Sequence, residues 1–443
     1  MSIVVFIAVP AWCDVYKPHE VLVKFKSASQ PGEPPTRAYL VSVDHVEAEV
    51  ALLRKRPDIE YAEPNYVITS ETVPDDWDYN PGDWAQVDLP AAWDFVENLA
   101  HTHTVRIAVL DSGVDRDHPE LYEILVQGYN FIDHNADTED DSGHGTQICG
   151  IIGAKGNNAA GVAGVAWDVP IEIMPVKVMQ SAWPQSVGTV ADAVEGIYYA
   201  VDNGARIISS SWGFRDYSGA MKDAIVYALD HEVLIVCSAG NEHADNDEVP
   251  HYPSNYNLEN IISVAAMTRY GYLASFSNYG AHGVHIAAPG AGLKTTGLDG
   301  LIISWVDGTS YAAAFVSGVA AMVLAVEPAL GVRELRLRIL QGALIGDQLS
   351  EEINNCGGCV NANNALRGIV SHETADTGDW IPPRPADRGT ATRDETDRCL
   401  IDAAAREGNA SAGWICLLAA IVMALAWRKE LKLLTKVTKN SIK

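Results

Sequence analysis

The sequence is poor in cysteine and in positive charge, and each shortage excludes a class of protein. Seven cysteines are scattered over 443 residues, too few for the disulfide framework of a small secreted scaffold. Lysine and arginine number 31 against 58 acidic residues, and the net charge of -27 argues against nucleic acid as a partner. No second Cys or His pair stands at zinc spacing from Cys356 and Cys359, so no zinc site is expected. A tight disulfide between those two residues stays open.

An apolar run that ends at Val326 follows Gly308-Thr309-Ser310. Small apolar residues at every angular position predict a helix buried on all sides, and Glu327-Pro328 ends it. Ser310 then lies at the positive end of the helix dipole, which suits a nucleophile because negative charge is favoured there. On these residues alone, a Thr309 or Ser310 that only caps a core helix explains the pattern equally well. A membrane span is disfavoured, because the run is shorter than about 20 residues.

Strands and helices alternate through the centre of the chain. This alternation predicts an α/β fold with a doubly wound, mostly parallel sheet and helices on both faces. Strands are predicted at 104–110, 207–211, 233–238 and 261–266, and helices at 221–231 and 332–340. Functional side chains are expected just after the strands, where such sheets form their sites.

Asp111 and His144 both lie where such a site is expected. Asp111 ends the first of these strands, and His144 begins a helix of small residues. Taken singly, an Asp there usually caps a turn, and a His at a helix start is usually a surface residue whose pKa the dipole lowers. With Ser310 they supply a nucleophile, a base and an orienting acid, which a weakly nucleophilic hydroxyl needs. The sequence therefore predicts a triad of Asp111, His144 and Ser310.

Four sequence blocks resemble the subtilisin-type serine proteases (subtilases), and the resemblance covers roughly residues 20 to 366. The blocks are Asp111-Ser-Gly, Asp141-Ser-Gly-His144-Gly-Thr, Ser238-Ala-Gly-Asn241 and Gly308-Thr-Ser310. The resemblance implies that Ser310 attacks the scissile carbonyl to form an acyl-enzyme, that His144 acts as general base and then acid, and that Asp111 orients His144. It also implies that Asn241 and the Ser310 backbone N–H form the oxyanion hole.

The same resemblance implies the substrate and metal contacts. Ser211, Trp212 and Gly213 correspond to the edge that pairs with an extended substrate, which predicts broad specificity with an apolar preference. A structural calcium ion is implied at Glu120 and the loop 156–161, which contains Asn158, with no catalytic cofactor. Two features after Ser310 depart from the family, which usually has Met-Ala and then a Pro there. The Pro is missing from the residues Tyr311 to Ala314, and Tyr311 replaces the Met, which we expect to reshape the leaving-group side of the site.

The segments before the triad predict an exported zymogen. Residues 1–13 predict a signal peptide, although no basic residue precedes the apolar run, and a buried first strand is the alternative. Residues 14–75 predict a small α+β module with strands at 21–26, 37–42 and 59–66 and a helix at 46–56. By the resemblance this module is the propeptide, an inhibitor of its own enzyme, removed by a cut between residues 66 and 76. Residues 76–370 are the predicted catalytic domain.

The C-terminal segments predict a membrane anchor. Residues 371–410 form a polar linker, 411–428 a transmembrane or sorting segment, and 429–443 a basic cytoplasmic tail. Trp414 and Trp427 bound the apolar run, and Arg428-Lys429 follow it at once. An additional buried or amphipathic helix, and a sorting tail removed during export, are the alternatives. For the whole chain the competing functions are a catalytically silent binding protein and a maturation enzyme with one client.

Overall fold

The computed structural model describes residues 16–25, 39–66, 87–99, 102–182, 185–345, 349 and 358–371. The chain divides into two compact units, Met1–Pro382 and Pro383–Lys443. The second unit lies wholly outside the described residues, as do the predicted signal peptide, the predicted membrane segment and Cys356.

The predicted N-terminal α+β module is present. It consists of β1 (Tyr16–Phe25), β2 (Tyr39–Ser42), α1 (Val46–Leu53) and β3 (Ile59–Tyr66). The strands form an antiparallel sheet in the order β2-β1-β3, and one face packs on α1 through its own small apolar core. Alternation explains this face, because Val21 and Val23 point to the same side of β1 and are both buried.

The strands of the catalytic region lie in one central sheet and two hairpins. They are β4 (Val105–Asp111), β5 (Tyr129–Asn130), β6 (Ile171–Lys177), β7 (Met179–Ala182), β8 (Gln185–Gly188), β9 (Ile207–Ser210), β10 (Leu234–Ser238), β11 (Ile261–Met267), β12 (Ile286–Pro289), β13 (Leu293–Thr296), β14 (Ile302–Val306), β15 (Leu344–Ile345) and β16 (Gly358–Cys359). The sheet order is β15-β16-β12-β11-β10-β9-β4-β6-β5, and only the β15–β16 pair within it is antiparallel. β7–β8 and β13–β14 form antiparallel hairpins.

Helices cover both faces of this sheet, as predicted. They are α2 (Leu89–Glu97), α3 (His144–Gly153), α4 (Val190–Asp202), α5 (Gly219–Asp230), α6 (Thr309–Val326), α7 (Val332–Gln341) and α8 (Ala362–Arg367), with one 3-10 turn at Leu298–Gly300. One apolar core contains α3 and α6, and a second contains α4 and α5. The central strands are buried on both sides for this reason, which explains their continuous apolar sequences.

Helix α6 occupies the middle of the first core. Each residue from Thr309 to Ala325 is buried, which confirms the prediction of a helix apolar on all sides. Gly318 gives it close contact with a neighbouring loop, since a Cβ there would lie 2.6 Å from the Cβ of Val165. Among the described helices, α6 alone has the length and hydropathy of a membrane span, and 94% of it is buried inside the protein.

Candidate active site

The parallel strands bring the predicted site residues to one edge of the sheet. β4, β9 and β10 are neighbours, and their carboxyl ends lead into Asp111, Ser211 and the loop that carries Asn241. His144 is the first residue of α3, and Ser310 is the second residue of α6. The fold therefore gathers residues that lie up to 199 positions apart in the sequence.

Asp111 and His144 are directly joined. Asp111 Oδ1 accepts a hydrogen bond from His144 Nδ1 at 2.8 Å and another from the backbone N–H of Ser112 at 2.8 Å. The carboxylate is buried, and its Oδ2 has no hydrogen-bond partner in the described part of the chain. Because a carboxylate only accepts, Nδ1 carries the proton, and in the neutral ring Nε2 is left as the basic atom. This is the tautomer that a general base requires.

The pKa of His144 is raised above its ordinary value of 6.5. Burial acts to lower the pKa, but the charge of Asp111, its hydrogen bond and the charge of Asp140 together outweigh burial. The sequence predicted that the helix start would lower the pKa of His144. The net shift is upward instead, because the two carboxylates stabilise the imidazolium more than burial and the helix end destabilise it.

Asp140, which the sequence did not single out, organises the start of α3. Its Oδ1 accepts from Ser112 Oγ and from the backbone N–H of Ser142 and Gly143, and its Oδ2 accepts twice from Thr146. These hydrogen bonds lower its pKa although burial acts to raise it. Asp140 therefore ties the loop after β4 to the residues that present His144. In the sequence, Asp140 is marked only by its position next to Asp141.

Ser310 is not a helix cap, so that alternative reading is wrong. The N-cap residue is Gly308, and no side chain caps the helix. Ser310 Oγ donates to the Ser211 carbonyl at 3.3 Å, while Ser211 Oγ donates to the Ser310 carbonyl at 3.1 Å. Within the part of the chain that the structure describes, no hydrogen bond joins Ser310 Oγ to His144. Such contacts are often long before substrate binds.

Asn241 is held with its amide group in one orientation. Its Oδ1 accepts from the backbone N–H of Thr309 at 2.9 Å and from Thr309 Oγ1 at 3.0 Å. A backbone N–H can only donate, which identifies the bound atom as oxygen and leaves Nδ2 on the other edge. Asn241 is exposed and lines the cleft that also contains His144. A fixed donor at this place is what an oxyanion hole needs.

Comparison with known families agrees with this geometry. The model of the subtilase family (Peptidase S8) matches residues 102–373, which is more than half of the chain. The chain is a subtilase.

Several relatives of this subtilase are serine proteinases. The chain is 35% identical over 286 residues to a thermophilic serine proteinase from Bacillus sp. (strain AK1), covering 64% of this chain and 68% of that one. It is 34% identical over 238 residues to thermitase from Thermoactinomyces vulgaris, and the match covers 54% of this chain and 80% of thermitase. A protease structure from Pseudoalteromonas arctica PAMC 21717 matches with a TM-score of 0.58 at 26% identity, over 67% of this chain and all of that one. These matches identify the subtilase as a serine endopeptidase.

A cleft of about 710 Å³ extends from His144 along the sheet edge of the subtilase. Ser211, Trp212 and Gly213 line this cleft, and so does the strand Gln185–Gly188. Trp212 is fixed by a hydrogen bond from its Nε1 to the Leu110 carbonyl at 2.8 Å. The strand Gln185–Gly188 was not predicted, because a short polar strand has no apolar alternation to indicate it.

Glu120 and Asn158, the residues of the calcium prediction, are in direct contact. Asn158 Nδ2 donates to Glu120 Oε2 at 3.0 Å, and the Glu120 side chain is buried. Gly161 has φ +65, and a Cβ there would lie 2.7 Å from Glu120 Oε1. The loop therefore closes over a buried carboxylate, a hard oxygen ligand of the kind calcium prefers. No cluster of three His, Cys, Asp or Glu side chains that would hold a metal occurs among the described residues.

Proposed function

We propose that this subtilase cleaves peptide bonds with Ser310 as nucleophile, His144 as general base and acid, and Asp111 as the orienting carboxylate. The observation that carries the proposal is the 2.8 Å hydrogen bond between His144 Nδ1 and Asp111 Oδ1, which leaves Nε2 as the basic atom. In the first step Ser310 Oγ loses its proton to Nε2 and attacks the scissile carbonyl carbon. The imidazolium then gives that proton to the leaving amine, and water hydrolyses the acyl-enzyme by the same steps.

Asn241 stabilises the negative charge that develops on the carbonyl oxygen. Thr309 holds its amide oxygen with two hydrogen bonds, so the Nδ2–H group keeps its direction throughout the reaction. A donor that is fixed in advance needs no reorganisation when the charge forms, and removal of such a donor lowers kcat by roughly 100- to 1,000-fold. An Asn241→Ala variant is expected to fall in that range with a smaller change in KM.

The experiment that tests the proposal is covalent labelling with a fluorophosphonate probe. Wild-type protein is expected to be labelled on Ser310, and Ser310→Ala is expected to lose the label. Ser317→Ala is the matched control, since Ser317 lies on the same helix with its hydroxyl bonded to the Ala313 carbonyl. Absence of labelling in mature wild-type protein would favour a catalytically silent binding protein instead.

We also propose that substrates are proteins or peptides taken with broad specificity. Backbone pairing along 211–213 and 185–188 gives affinity to any extended chain, with little selection by side chain. The acidic protein is not expected to bind nucleic acid. Cleavage of a random peptide library tests this, and a single tight motif would favour a dedicated maturation enzyme.

Self-processing is proposed for the segment 14–75. The module formed by β1, β2, α1 and β3 has its own apolar core. A segment that folds as a unit and is later removed needs such a core of its own. Ser310→Ala is expected to keep this segment attached, and added wild-type enzyme is expected to remove it in trans. If the Ser310→Ala protein is isolated in the short form, another protease does the processing.

Export and anchoring are proposed from the sequence ends. Residues 1–13 act as the signal, and 411–428 cross the membrane with 429–443 in the cytoplasm. Intact mass of the mature protein defines both ends at once. A mass that includes 429–443 supports the anchor, and a mass that stops before 411 supports a sorting tail that is removed.

Calcium is proposed to bind at Glu120 and Asn158 in a structural role. The ion would offset the charge of the buried carboxylate and hold the loop against it. In the Ser310→Ala background, excess calcium is expected to raise Tm relative to a chelator, and Glu120→Gln is expected to lose most of that rise. Glu123→Gln is the control, because Glu123 is half-exposed and already paired with Lys155. An equal calcium response in both variants would place the ion elsewhere.

A further inference from the structure

Asn278 packs against the loop that carries Asn241, which consists of residues 239–244. Asn278 is buried and lies in the segment between β11 and β12. Its backbone N–H donates to the Gly240 carbonyl at 2.9 Å. Gly240 has φ +108, and a Cβ there would lie 2.3 Å from Nδ2 of Asn278. The loop is therefore in direct contact with the Asn278 side chain at the residue before Asn241.

Both ends of the Asn278 amide are bonded to this loop. Its Oδ1 accepts from the backbone N–H of Glu242 at 2.9 Å and from that of Ala244 at 3.0 Å. Because a backbone N–H only donates, the accepting atom is oxygen and the other atom is Nδ2. Nδ2 donates to the Ala239 carbonyl at 3.0 Å, to Glu242 Oε2 at 3.1 Å and to Asn246 Oδ1 at 3.0 Å. One amide thus binds residues on both sides of Asn241 in the sequence.

The backbone of Asn241 belongs to the same network. Its N–H donates at 3.1 Å to Glu242 Oε2, the oxygen that also accepts from Asn278 Nδ2. At the far end of the side chain, Thr309 donates twice to Asn241 Oδ1. Thr309 therefore sets the orientation of the Asn241 amide, and Asn278 sets the position of the backbone from which that amide extends. A functional group must be held to within about 0.5 Å of its productive position, so both contacts matter.

Asn278 itself does not line the described cleft, whereas Asn241 does. Among the described residues, its side chain makes no hydrogen bond to Asp111, His144 or Ser310. An effect of Asn278 on the reaction must therefore pass through the loop. A buried and fully bonded amide also stabilises the fold, so a loss of stability alone does not distinguish the two roles.

We infer that Asn278 is a positioning residue that holds the Asn241 loop where its amide can meet the developing oxyanion. The inference rests on the proposed function of Asn241 and deepens it. The negative charge on the carbonyl oxygen exists only in the transition state, so a displaced donor costs transition-state binding more than substrate binding. Loss of Asn278 is therefore expected to lower kcat and to change KM little.

The test is a double-mutant cycle of Asn278→Ala and Asn241→Ala on one peptide substrate. Active sites are counted by fluorophosphonate titration taken to completion, so that unfolded enzyme does not enter kcat. Asn278→Ala is expected to lower kcat about tenfold and to change KM less than about twofold. In the Asn241→Ala background the same substitution is expected to lower kcat less than about twofold, because the donor that it positions is already gone.

Asn260→Ala is the matched control. Asn260 is also buried, and its Nδ2 donates to the carbonyls of Ile225 and Val233, both at 3.1 Å. Val233 and Asn260 directly precede β10 and β11, so these bonds lie at the end of the sheet opposite to the candidate site. Asn260→Ala is expected to lower Tm and to leave kcat and KM unchanged.

Asn278→Asp provides a second variant in case Asn278→Ala does not fold. It keeps the two bonds that Oδ1 accepts and loses the Nδ2 donors. Its added charge acts on the site with or without Asn241, so the difference in kcat loss between the two backgrounds measures positioning alone.

An unchanged kcat in the Asn278 variants, or an equal fold-loss with and without Asn241, overturns the inference. The outcome for Asn241→Ala separates this inference from the proposed function. A large loss in Asn241→Ala with none in the Asn278 variants refutes the role of Asn278 alone. An unchanged kcat in Asn241→Ala refutes the proposed oxyanion role as well.

Discussion

The phenol of Tyr311 donates a hydrogen bond to Oε1 of Gln147 over 2.5 Å. Tyr311 follows the proposed nucleophile, and Gln147 lies one turn of α3 after His144. The Tyr311 ring is buried and its centroid lies 6.1 Å from that of the His144 imidazole. The residue that departs from the usual family pattern thus connects the helix of the nucleophile to the helix of the base.

Tyr311→Phe is expected to lower kcat by roughly fivefold with little change in KM. The substitution removes only the hydroxyl, and the loss of one buried hydrogen bond is worth about 1 kcal/mol. The effect falls on kcat if the bond sets how the starts of α3 and α6 lie relative to each other during proton transfer. Steady-state kinetics on one peptide substrate measure it.

Two variants control the Tyr311 prediction. Gln147→Met removes the other partner, and the double variant is expected to be no slower than the worse single variant, because both remove one bond. Tyr227→Phe removes a hydroxyl that bonds to Asp202 at an exposed position outside the cleft, and it is expected to leave kcat unchanged. Additive losses in the double variant would contradict a direct coupling.

The raised pKa of His144 predicts opposite pH trends for activity and for stability. The base must be neutral, so kcat/KM is expected to rise with pH through a pKa above 6.5. The folded-state pKa exceeds the unfolded one, so the stability that His144 contributes is fully present below 6.5 and is lost as pH rises through the folded-state value. Chemical denaturation of Ser310→Ala, compared with the same protein carrying His144→Gln, measures the second trend. A stability difference that grows with pH would contradict it.

The fold was predictable for the strands whose sequences are continuously apolar. β4, β10 and β11 are continuous apolar runs that end at a small or polar residue, and their bounds agree with prediction to within two residues. β6 and α4 were not predicted, although both are largely apolar.

The sequence marks the positions of the three residues proposed for catalysis, but it does not mark the groups that orient them. Asp111, His144 and Ser310 stand at strand and helix ends, which the sequence marks. Asp140 acts through five hydrogen bonds within a loop, and no periodicity indicates a loop residue. Thr309 acts on a residue 68 positions away, and a contact of that span is known only once the fold is known.

Lys177 supports the same loop from the neighbouring strand. It pairs in register with Asp111, and its buried Nζ donates to the Ser112 carbonyl and to Asp141 Oδ1, the latter at 2.8 Å. Asp141→Ala would leave the ammonium with the carbonyl alone. We expect the free energy of unfolding to fall by about 2 kcal/mol, the scale of a hydrogen bond to a charged group.

Urea denaturation in the Ser310→Ala background measures the Asp141→Ala effect without self-digestion. Glu123→Ala is the matched control, since it breaks the Glu123–Lys155 pair at 2.9 Å in which both side chains are about half exposed. Such a surface pair is worth less than about 1 kcal/mol. Equal losses in the two variants would mean that the buried position of Lys177 adds nothing.

Asp168 is a carboxylate whose ionisation opposes folding. Both of its oxygens are buried and accept no hydrogen bond from another side chain or backbone group in the described part of the chain. Burial raises its pKa to about 8, its own backbone N–H opposes this, and the charge of Glu97 adds to it. Because the folded-state pKa lies above the ordinary value of 3.8, the folded protein loses stability as pH rises from that value through about 8.

Asp168→Asn is therefore expected to stabilise the protein increasingly as the solution is made alkaline. Asparagine keeps the shape and cannot ionise, so the variant escapes a loss of about 1.4 kcal/mol for each unit by which the carboxyl pKa is displaced. Denaturation of Ser310→Ala with and without Asp168→Asn, from pH 5 to above pH 8, measures the difference. Asp223→Asn, at an exposed position of α5, is expected to show no such trend. If the curves with and without Asp168→Asn run parallel across this range, the carboxyl ionises as it does in the unfolded chain, and its burial has no energetic consequence.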